Sequence, residues 1–253
     1  MKKPRSSKRR VKPLYIAAAL LLIVGLAAAY FLAFTETGYL LTLKSRGFTR
    51  QVFGVYVDDD YDGNARAIGI MLLDAKTRIN KFWGRTKSSP MVVFSDDADK
   101  LKKLGLEGGT ARTVTFTLNG AHSYTIISPE GLNVDVIAHE LSHAELHYRL
   151  YDGKLLPSAR VPVWFDEGVA TQVDYREIYN NDAWELVTDG GRNVADFDKL
   201  AAAGFYDPEP EVRRYNYIIS RHEVGAWIAA RDDGALAALL DGVNAGKAFA
   251  DLY

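Results

Sequence analysis

The sequence predicts an α+β fold behind one membrane-spanning helix, and three observations support this prediction. Residues 14–34 form an uninterrupted apolar run. Residues 35–131 contain short segments rich in Val, Ile, Thr and aromatic residues, which are typical of strands. After residue 133 the apolar side chains recur mainly at helical spacing. Strands first and helices afterwards indicate a β-rich lobe over residues 35–131 and a helical lobe over residues 132–253.

The apolar run predicts a membrane anchor. Its 21 residues carry no charge, and at about 1.5 Å per residue they can cross a hydrocarbon core of about 30 Å. Residues 1–13 hold seven Lys or Arg side chains and no acidic one. Such basic segments stay in the cytoplasm, so residues 1–13 are predicted to be a cytoplasmic tail. Residues 35–253 are then expected on the periplasmic or extracellular side of a bacterial cytoplasmic membrane.

Two other interpretations of residues 14–34 remain open. Small residues at Ala27-Ala28-Ala29 would suit a cleaved signal peptide. A helix buried within the fold is a further possibility, but the flanking basic residues disfavour it.

Composition excludes several classes of function. The chain has no cysteine, which rules out disulfides, thiolate metal sites and cysteine nucleophiles. The 240 residues after the basic tail carry 24 basic and 32 acidic side chains, a formal charge of −8. An acidic domain of this kind argues against a nucleic-acid partner, because phosphate binding needs a basic surface.

The remaining elements follow from local patterns. Strands are predicted over residues 51–57 and 90–94, with helices over about 64–83 and 96–104. Residues 112–118 and 122–128 form a predicted hairpin. Its edge is expected either to bind an extended peptide by strand addition or to be purely structural. Further helices are predicted at about 134–150, 162–176, 193–203, 210–231 and 233–243, with a last turn near 246–252.

The segment His139-Glu140-Leu141-Ser142-His143 is the main functional motif. Residues four apart on a helix have Cβ atoms about 5–6 Å apart on one face, so His139 and His143 can converge on one tetrahedral Zn²⁺. Glu140 then flanks the metal, where a carboxylate can act as a general base.

The third metal ligand defines the type of site. A three-histidine site would need a histidine six residues after His143, where Arg149 stands. His147 lies one turn beyond His143, about 6 Å further along the axis, so we expect it outside the metal's ligand shell. Glu167 is the better candidate because 24 residues allow the first helix to end and a second, antiparallel helix to bring its carboxylate back.

Together with Trp164-Phe165-Asp166-Glu167-Gly168-Val169-Ala170, the histidine motif resembles the gluzincin metallopeptidases, particularly the aminopeptidase-like members with a Trp-x-x-Glu-Gly-x-Ala motif. The resemblance covers about residues 90–253. It implies a thermolysin-like domain with one Zn²⁺ between its lobes. It also implies that His139, His143 and Glu167 bind the metal, and that Glu140 is the base for peptide-bond hydrolysis.

The resemblance further implies a tyrosine that stabilises the oxyanion. In these families the tyrosine precedes a small residue by three positions, which Tyr217 does with Ser220. Tyr215 is the alternative.

Two family features have no match in this chain. The segment that holds the substrate amino terminus in true aminopeptidases has no equivalent. Thr171 stands where thermolysin-like enzymes place an aspartate that orients a zinc histidine. Asp135, Asp166 and Asp174 are alternative candidates for that role.

The expected function is therefore that of a membrane-anchored zinc metallopeptidase with a peptide or protein substrate. A non-catalytic peptide-binding or scaffolding protein that retains the fold is one alternative. A zinc hydrolase that acts on a non-peptide amide is another.

Overall fold

The computed structural model describes residues 13–117, 120–151, 153, 160–197, 200 and 202–253, without the side chains of Pro13, Leu14, Val52 and Ala203. It shows a mixed α+β chain with one five-stranded sheet and one N-terminal apolar helix among these residues, which confirms the predicted fold class at that level. The predicted cytoplasmic tail falls almost wholly outside the described residues, as do parts of the predicted hairpin turn and of the predicted helix 193–203.

The helices of the described residues are α1 (Pro13–Phe34), α2 (Glu36–Leu41), α3 (Ala65–Trp83), α4 (Ala98–Lys103), α5 (Val134–Arg149), α6 (Val163–Ala170), α7 (Asn181–Thr188), α8 (Ala202–Phe205), α9 (Pro210–Ala229) and α10 (Ala235–Asn244). The strands are β1 (Phe48–Arg50), β2 (Val55–Asp58), β3 (Met91–Phe94), β4 (Ala111–Phe116) and β5 (His122–Ile127).

The sheet has the order β1-β2-β3-β5-β4. Its three central strands are parallel, and β1 and β4 run antiparallel to their neighbours at the two edges. The hairpin of β4 and β5 was predicted from the sequence and is confirmed. β4 therefore has one edge without a partner strand among the described residues, and this edge lies beside α5.

The sheet separates two layers of helices. On one face, Val93, Tyr124 and Ile126 pack with side chains that include Leu40 of α2 and Leu101 of α4. On the other face, the apolar cluster of α3, α5, α6, α9 and α10 packs against alternate residues of the same strands. This alternation arises because successive side chains of a strand point to opposite faces.

Helix α1 is long and apolar enough to cross a membrane over Tyr15–Phe34. None of that segment is buried against the rest of the chain. A buried core helix would be covered by other elements, so the exposure agrees with the interpretation of this segment as a membrane anchor or signal sequence.

The structure differs from the sequence-based expectations in several elements. The helix predicted over 162–176 ends at Ala170, where Thr171 Oγ1 donates to the carbonyl of Glu167 at 2.8 Å and a 3₁₀ turn follows. Helix α7 was not predicted; the side chain of Asn180 caps it by accepting from Ala183 N at 2.8 Å. Within 193–203, the described helical residues are those at the start of α8.

The predicted strand 51–57 is also shorter in the structure. It begins at Val55, and Phe53 before it has a φ of 65° in a tight turn. That turn reverses the chain between β1, which was not predicted, and β2. The predicted strand therefore covers the turn and most of β2 but none of β1.

Glu145 attaches the loop before β3 to helix α5. Its side chain is fully buried and accepts hydrogen bonds from the backbone N–H of Lys87 and Ser88, at 2.8–3.0 Å, and from Arg149 Nε at 2.7 Å. Burial alone would raise the pKa of Glu145, but these donors outweigh it and lower the pKa below its usual value. The charged carboxylate is therefore stabilised in the fold.

Glu145→Gln should destabilise the protein by about 3 kcal/mol, because the partly buried Arg149 and the two amides lose their charged acceptor. The folded pKa lies below the unfolded value near 4.5, so this contribution is complete above about pH 4.5 and disappears as the pH falls through the folded pKa. Denaturant unfolding of the detergent-solubilised chain at several pH values measures it.

The exposed Glu185→Gln serves as the control and should change the free energy of unfolding by less than about 0.5 kcal/mol. An equal, small effect of both substitutions at pH 7 would contradict the role assigned to Glu145.

Candidate metal centre

Helix α5 places His139 and His143 against α6. The helix begins at an Asn133 cap, whose side chain accepts from Val136 N at 2.9 Å. Ser142, on another face, accepts a hydrogen bond from Trp83 Nε1 of α3 at 3.1 Å. Both histidines are buried, at 7% and 9% exposure. The packing of α5 on α3 thus turns the histidine pair toward α6.

Three potential ligand atoms converge between α5 and α6. His139 Nε2 lies 3.1 Å from His143 Nε2 and 3.2 Å from Glu167 Oε2, and His143 Nε2 lies 3.3 Å from Glu167 Oε2. The three atoms therefore form a nearly equilateral triangle. Glu167 itself is only 4% exposed.

This triangle has the dimensions of a tetrahedral metal site. For bonds of about 2.0–2.1 Å to nitrogen and oxygen, ligand atoms at the corners of a tetrahedron are about 3.3 Å apart. Three protein corners leave the fourth corner open to the adjoining cavity. His139, His143 and Glu167 could thus hold one metal ion.

The charges at the site favour a bound cation. Burial opposes ionisation of Glu167, but the charge on His143 outweighs it and lowers the pKa of Glu167 to about 2. Burial would likewise lower the pKa of His143, but Asp166 and Glu167 raise it well above its usual value. The buried carboxylate of Glu167 and the partly buried one of Asp166 are stabilised by positive charge, which either protons on the imidazoles or a metal ion can supply.

Asp166 orients His143 from behind. Its Oδ1 accepts from His143 Nδ1 at 2.6 Å, and its Oδ2 accepts from His147 Nε2 at 2.9 Å. His147 Nδ1 in turn lies 3.1 Å from Thr115 Oγ1 on β4. With the Nδ1 proton committed to Asp166, the Nε2 of His143 presents its lone pair to the metal position.

Asp174 lies beside the outer nitrogen of the other histidine, His139. Its Oδ2 lies 3.8 Å from His139 Nδ1, a buried atom with no hydrogen-bond partner among the described residues. Arg176 holds Asp174 through its guanidinium group. Of the three aspartates left open by the sequence, Asp135 is instead paired with Arg78 at 2.5 Å. The structure therefore places Asp166 behind His143 and Asp174 near His139.

Tyr206 is a site residue that the sequence did not indicate. Its hydroxyl donates to Glu167 Oε1 at 2.5 Å, which leaves Oε2 as the oxygen of Glu167 that faces the histidines. Burial and the charge of Glu167 raise the pKa of Tyr206, so the hydroxyl stays protonated as a donor. No spacing rule connects residue 206 to either motif, so only the fold could reveal it.

Glu140 lines the cavity beside the triangle. Its carboxylate accepts no hydrogen bond from any residue that the structure describes. Its backbone carbonyl, in contrast, accepts from Thr113 Oγ1 of β4 at 3.0 Å. The side chain is thus free to accept a hydrogen bond from a water or substrate in the cavity.

Tyr217 lines the same cavity, and its ring lies 6.1 Å from that of His139. Burial and the charge of Glu167 raise the pKa of Tyr217, so its hydroxyl remains a donor. Tyr215 has a different role, because its hydroxyl donates to Asn193 O and accepts from Ala195 N, both at 2.8 Å. Of the two tyrosines considered from the sequence, Tyr217 is the one at the cavity.

Gly168 explains how Tyr217 reaches the site. A Cβ at this position would lie 2.6 Å from the carbonyl oxygen of Ser220 and 2.5 Å from a methyl group of Val224. Only glycine therefore permits α6 and α9 to pack this closely. The close approach brings Tyr217, one turn before Ser220, toward the triangle.

The cavity that joins these groups has a volume of about 400 Å³. Its walls come from β4, α5, α6, Tyr206 and Tyr217. On the β4 side, Ala111 and Thr113 lie opposite the triangle. The open metal corner therefore faces an edge strand.

Comparisons with known proteins identify no relative: no protein-family model, curated protein or solved structure matches this chain. The likeness of its motifs to gluzincins thus remains an expectation from sequence, and the function proposed below depends on the geometry of the site.

Asp166→Asn should weaken metal binding by roughly 10–100-fold, because His143 loses the charged acceptor that orients it. Titration of the chain with Zn²⁺ against a competing chelator measures the affinity. Asp182→Asn, at an exposed position in the first turn of α7, is the control and should leave the affinity unchanged. Equal affinities for both variants and the unaltered chain would contradict the role of Asp166.

Proposed function

We propose that this protein is a zinc-dependent metallopeptidase anchored in a membrane by α1, with residues 35–253 as its extracytoplasmic catalytic domain. The observation that carries the proposal is the triangle of His139, His143 and Glu167 with the uncommitted carboxylate of Glu140 beside it. A metal site that is only structural is closed by four protein ligands. Here the described residues provide three, and a cavity adjoins the fourth position.

Zinc suits the donors better than other common metals. Two imidazole nitrogens and one carboxylate oxygen form the ligand set of many catalytic zinc sites, whereas Ca²⁺ and Mg²⁺ prefer six or more oxygen ligands. A bound Zn²⁺ supplies Lewis acidity, which polarises a carbonyl group and lowers the pKa of a coordinated water toward about 7.

Glu140 is the proposed general base. Its carboxylate lines the cavity and accepts no hydrogen bond from the described residues, so it can accept a proton from the attacking water and return it to the leaving amine. Thr113 holds the Glu140 backbone by donating to its carbonyl at 3.0 Å. The base is thereby positioned by the same strand that we propose binds the substrate.

Tyr217 is the proposed donor to the oxyanion. Its raised pKa keeps the hydroxyl protonated, and the side chain lines the same cavity as Glu140 and the triangle. A donor aimed at the developing charge contributes about 3–4 kcal/mol in comparable sites. Tyr206 has a separate role, because its hydroxyl is already bonded to the metal ligand Glu167.

The exposed edge of β4 supports a peptide as the substrate. An extended peptide can add to this edge through backbone hydrogen bonds, and Ala111 and Thr113 of β4 line the cavity. A peptide bound there would pass directly over Glu140. This arrangement favours a peptide bond over another amide.

Glu140→Gln should retain zinc and lose hydrolysis by at least about 10²–10⁴-fold, because the amide cannot accept the proton. Zinc content by metal analysis and cleavage of a peptide library by the purified chain measure the two properties separately.

The exposed Glu211→Gln, in the first turn of α9, is the control and should keep both properties. Full activity of Glu140→Gln would eliminate the mechanism. Stoichiometric zinc with no cleavage of any library by the unaltered chain would instead favour the non-catalytic binding protein.

Tyr217→Phe should lower kcat by about 10²–10³-fold with unchanged zinc affinity, since only the oxyanion donor is removed. Tyr206→Phe is the matched comparison, because it also removes one hydroxyl from the cavity. This second variant should weaken zinc affinity by about tenfold through Glu167. Steady-state kinetics at saturating zinc and chelator competition distinguish the two, and an identical profile for both tyrosines would contradict the separate roles.

A further inference from the structure

The junction between α1 and α2 contains a single residue, Thr35. Its hydroxyl donates to the carbonyl of Phe31 at 2.6 Å and accepts from Gly38 N at 3.0 Å. The same side chain thus ends the apolar helix and caps the next one. Such a short, doubly bonded connection behaves as a fixed joint rather than as a flexible linker.

Two further contacts hold this junction. A Cβ at Gly38 would overlap the backbone of Phe31 and Leu32, so the first turn of α2 lies directly against the last turn of α1. Arg46 Nη2 donates to the carbonyl of Leu32 at 2.8 Å, and a cation at this end of a helix is favourable. The domain therefore has a defined orientation relative to the apolar helix.

The surface beside the junction suits a lipid headgroup region. Residues 35–50 carry three basic side chains and one acidic one, although the domain as a whole is acidic. Leu41 of α2 is 57% exposed next to these residues. Basic and apolar side chains close to a spanning helix are attracted to anionic headgroups and to the interface.

Helix α2 also contacts the strand that borders the cavity. Glu36, two residues after the end of α1, accepts from Arg112 Nη1 of β4 at 3.1 Å. Arg112 points to the α2 side of the sheet, and the next residue, Thr113, points to the α5 side, where it bonds to Glu140. A single strand thus separates the juxtamembrane helix from the proposed catalytic base.

The contact defines which end of the cleft is near the membrane. Along β4, Arg112 pairs with Glu36 and the next residue, Thr113, bonds to the backbone of Glu140. Thr115, two residues further along the strand, contacts His147. The start of β4, at Ala111, is therefore the end closest to α1. A peptide paired with this edge would leave the cleft toward the bilayer.

We propose that the cleft opens beside the bilayer surface and that its substrates are extended segments of other membrane-anchored polypeptides, cut within about ten residues of their own span. Ten extended residues cover roughly 33 Å, enough to rise from the membrane along the start of β4 to Glu140. This inference rests on the proposed function and adds to it a substrate class and a direction of entry.

The test uses the full, zinc-loaded chain in lipid vesicles with anchored substrates. Each substrate is a single-span polypeptide that carries one sequence cut by the enzyme in solution, placed about 5, 10, 20 or 40 residues from its span. Cleavage at the two shorter distances should be roughly tenfold faster than at about 40 residues. A long tether lowers the effective concentration of the cleavage sequence at a cleft near the surface.

An enzyme variant separates orientation from mere co-localisation. A Gly/Ser linker of about 20 residues between Phe34 and Thr35 keeps the anchor and the Thr35 cap but allows the domain to move about 25 Å from the membrane. This variant should cleave a soluble peptide as fast as the unaltered chain and lose the preference for short distances. If the unaltered chain cuts all distances equally, or the distant ones faster, the proposal is wrong.

A distance measurement tests the orientation independently of catalysis. Because the chain has no cysteine, a fluorophore can be attached at Thr110→Cys, just before β4, or at Asp241→Cys on α10, whose C-terminal Asn244 bonds to the far end of α5. Energy transfer to an acceptor lipid should be stronger from residue 110 than from residue 241. Equal or reversed transfer would overturn the proposed orientation even if the chain hydrolyses peptides, whereas the expected transfer without any hydrolysis would overturn only the proposed function.

Discussion

The group of two imidazoles and two carboxylates between α5 and α6 is the constraint on which the rest of the structure depends. His139, His143 and Glu167 are buried and Asp166 is partly buried, and carboxylates in such a place are costly unless positive charge accompanies them. The arrangement brings the three ligand atoms to within 3.1–3.3 Å of one another. The surrounding elements are placed so that this spacing is maintained.

Each neighbouring element holds one part of that group. Asp166 accepts hydrogen bonds from His143 Nδ1 and from His147 Nε2. His147 also contacts Thr115, which links strand β4 to the site. Tyr206 occupies the second oxygen of Glu167. The close packing of α9 on Gly168 brings Tyr217 into the wall of the cavity beside this group. Glu140 is the exception, since its carboxylate is bonded to no described residue, which suits the role of base proposed for it.

The edge strand β4 lies between the candidate metal site and the helix that follows α1. One of its faces carries Thr113, which holds the backbone of Glu140, and the other carries Arg112, which pairs with Glu36 of the juxtamembrane helix. The alternation of side chains along a strand makes both contacts possible within two consecutive residues. Under the proposed function, a peptide that adds to this edge would lie near both the proposed base and the first residues after α1.

The sequence by itself determined the features that depend on local spacing. The i,i+4 histidine pair, the apolar run of α1, the α3 and α5 helices and the β4–β5 hairpin all follow from periodicity or from turn residues. The elements it misplaced are short or irregular, such as β1, α7 and the end of α6, where one side-chain hydrogen bond or one positive φ changes the course of the chain. Tertiary structure alone decided that Tyr206 meets Glu167, that Asp166 serves His143 while Asp135 pairs with Arg78, and that the cleft lies one strand from the anchor. These contacts join residues far apart in the chain, so packing and the satisfaction of buried charge determine them, and no local pattern records them.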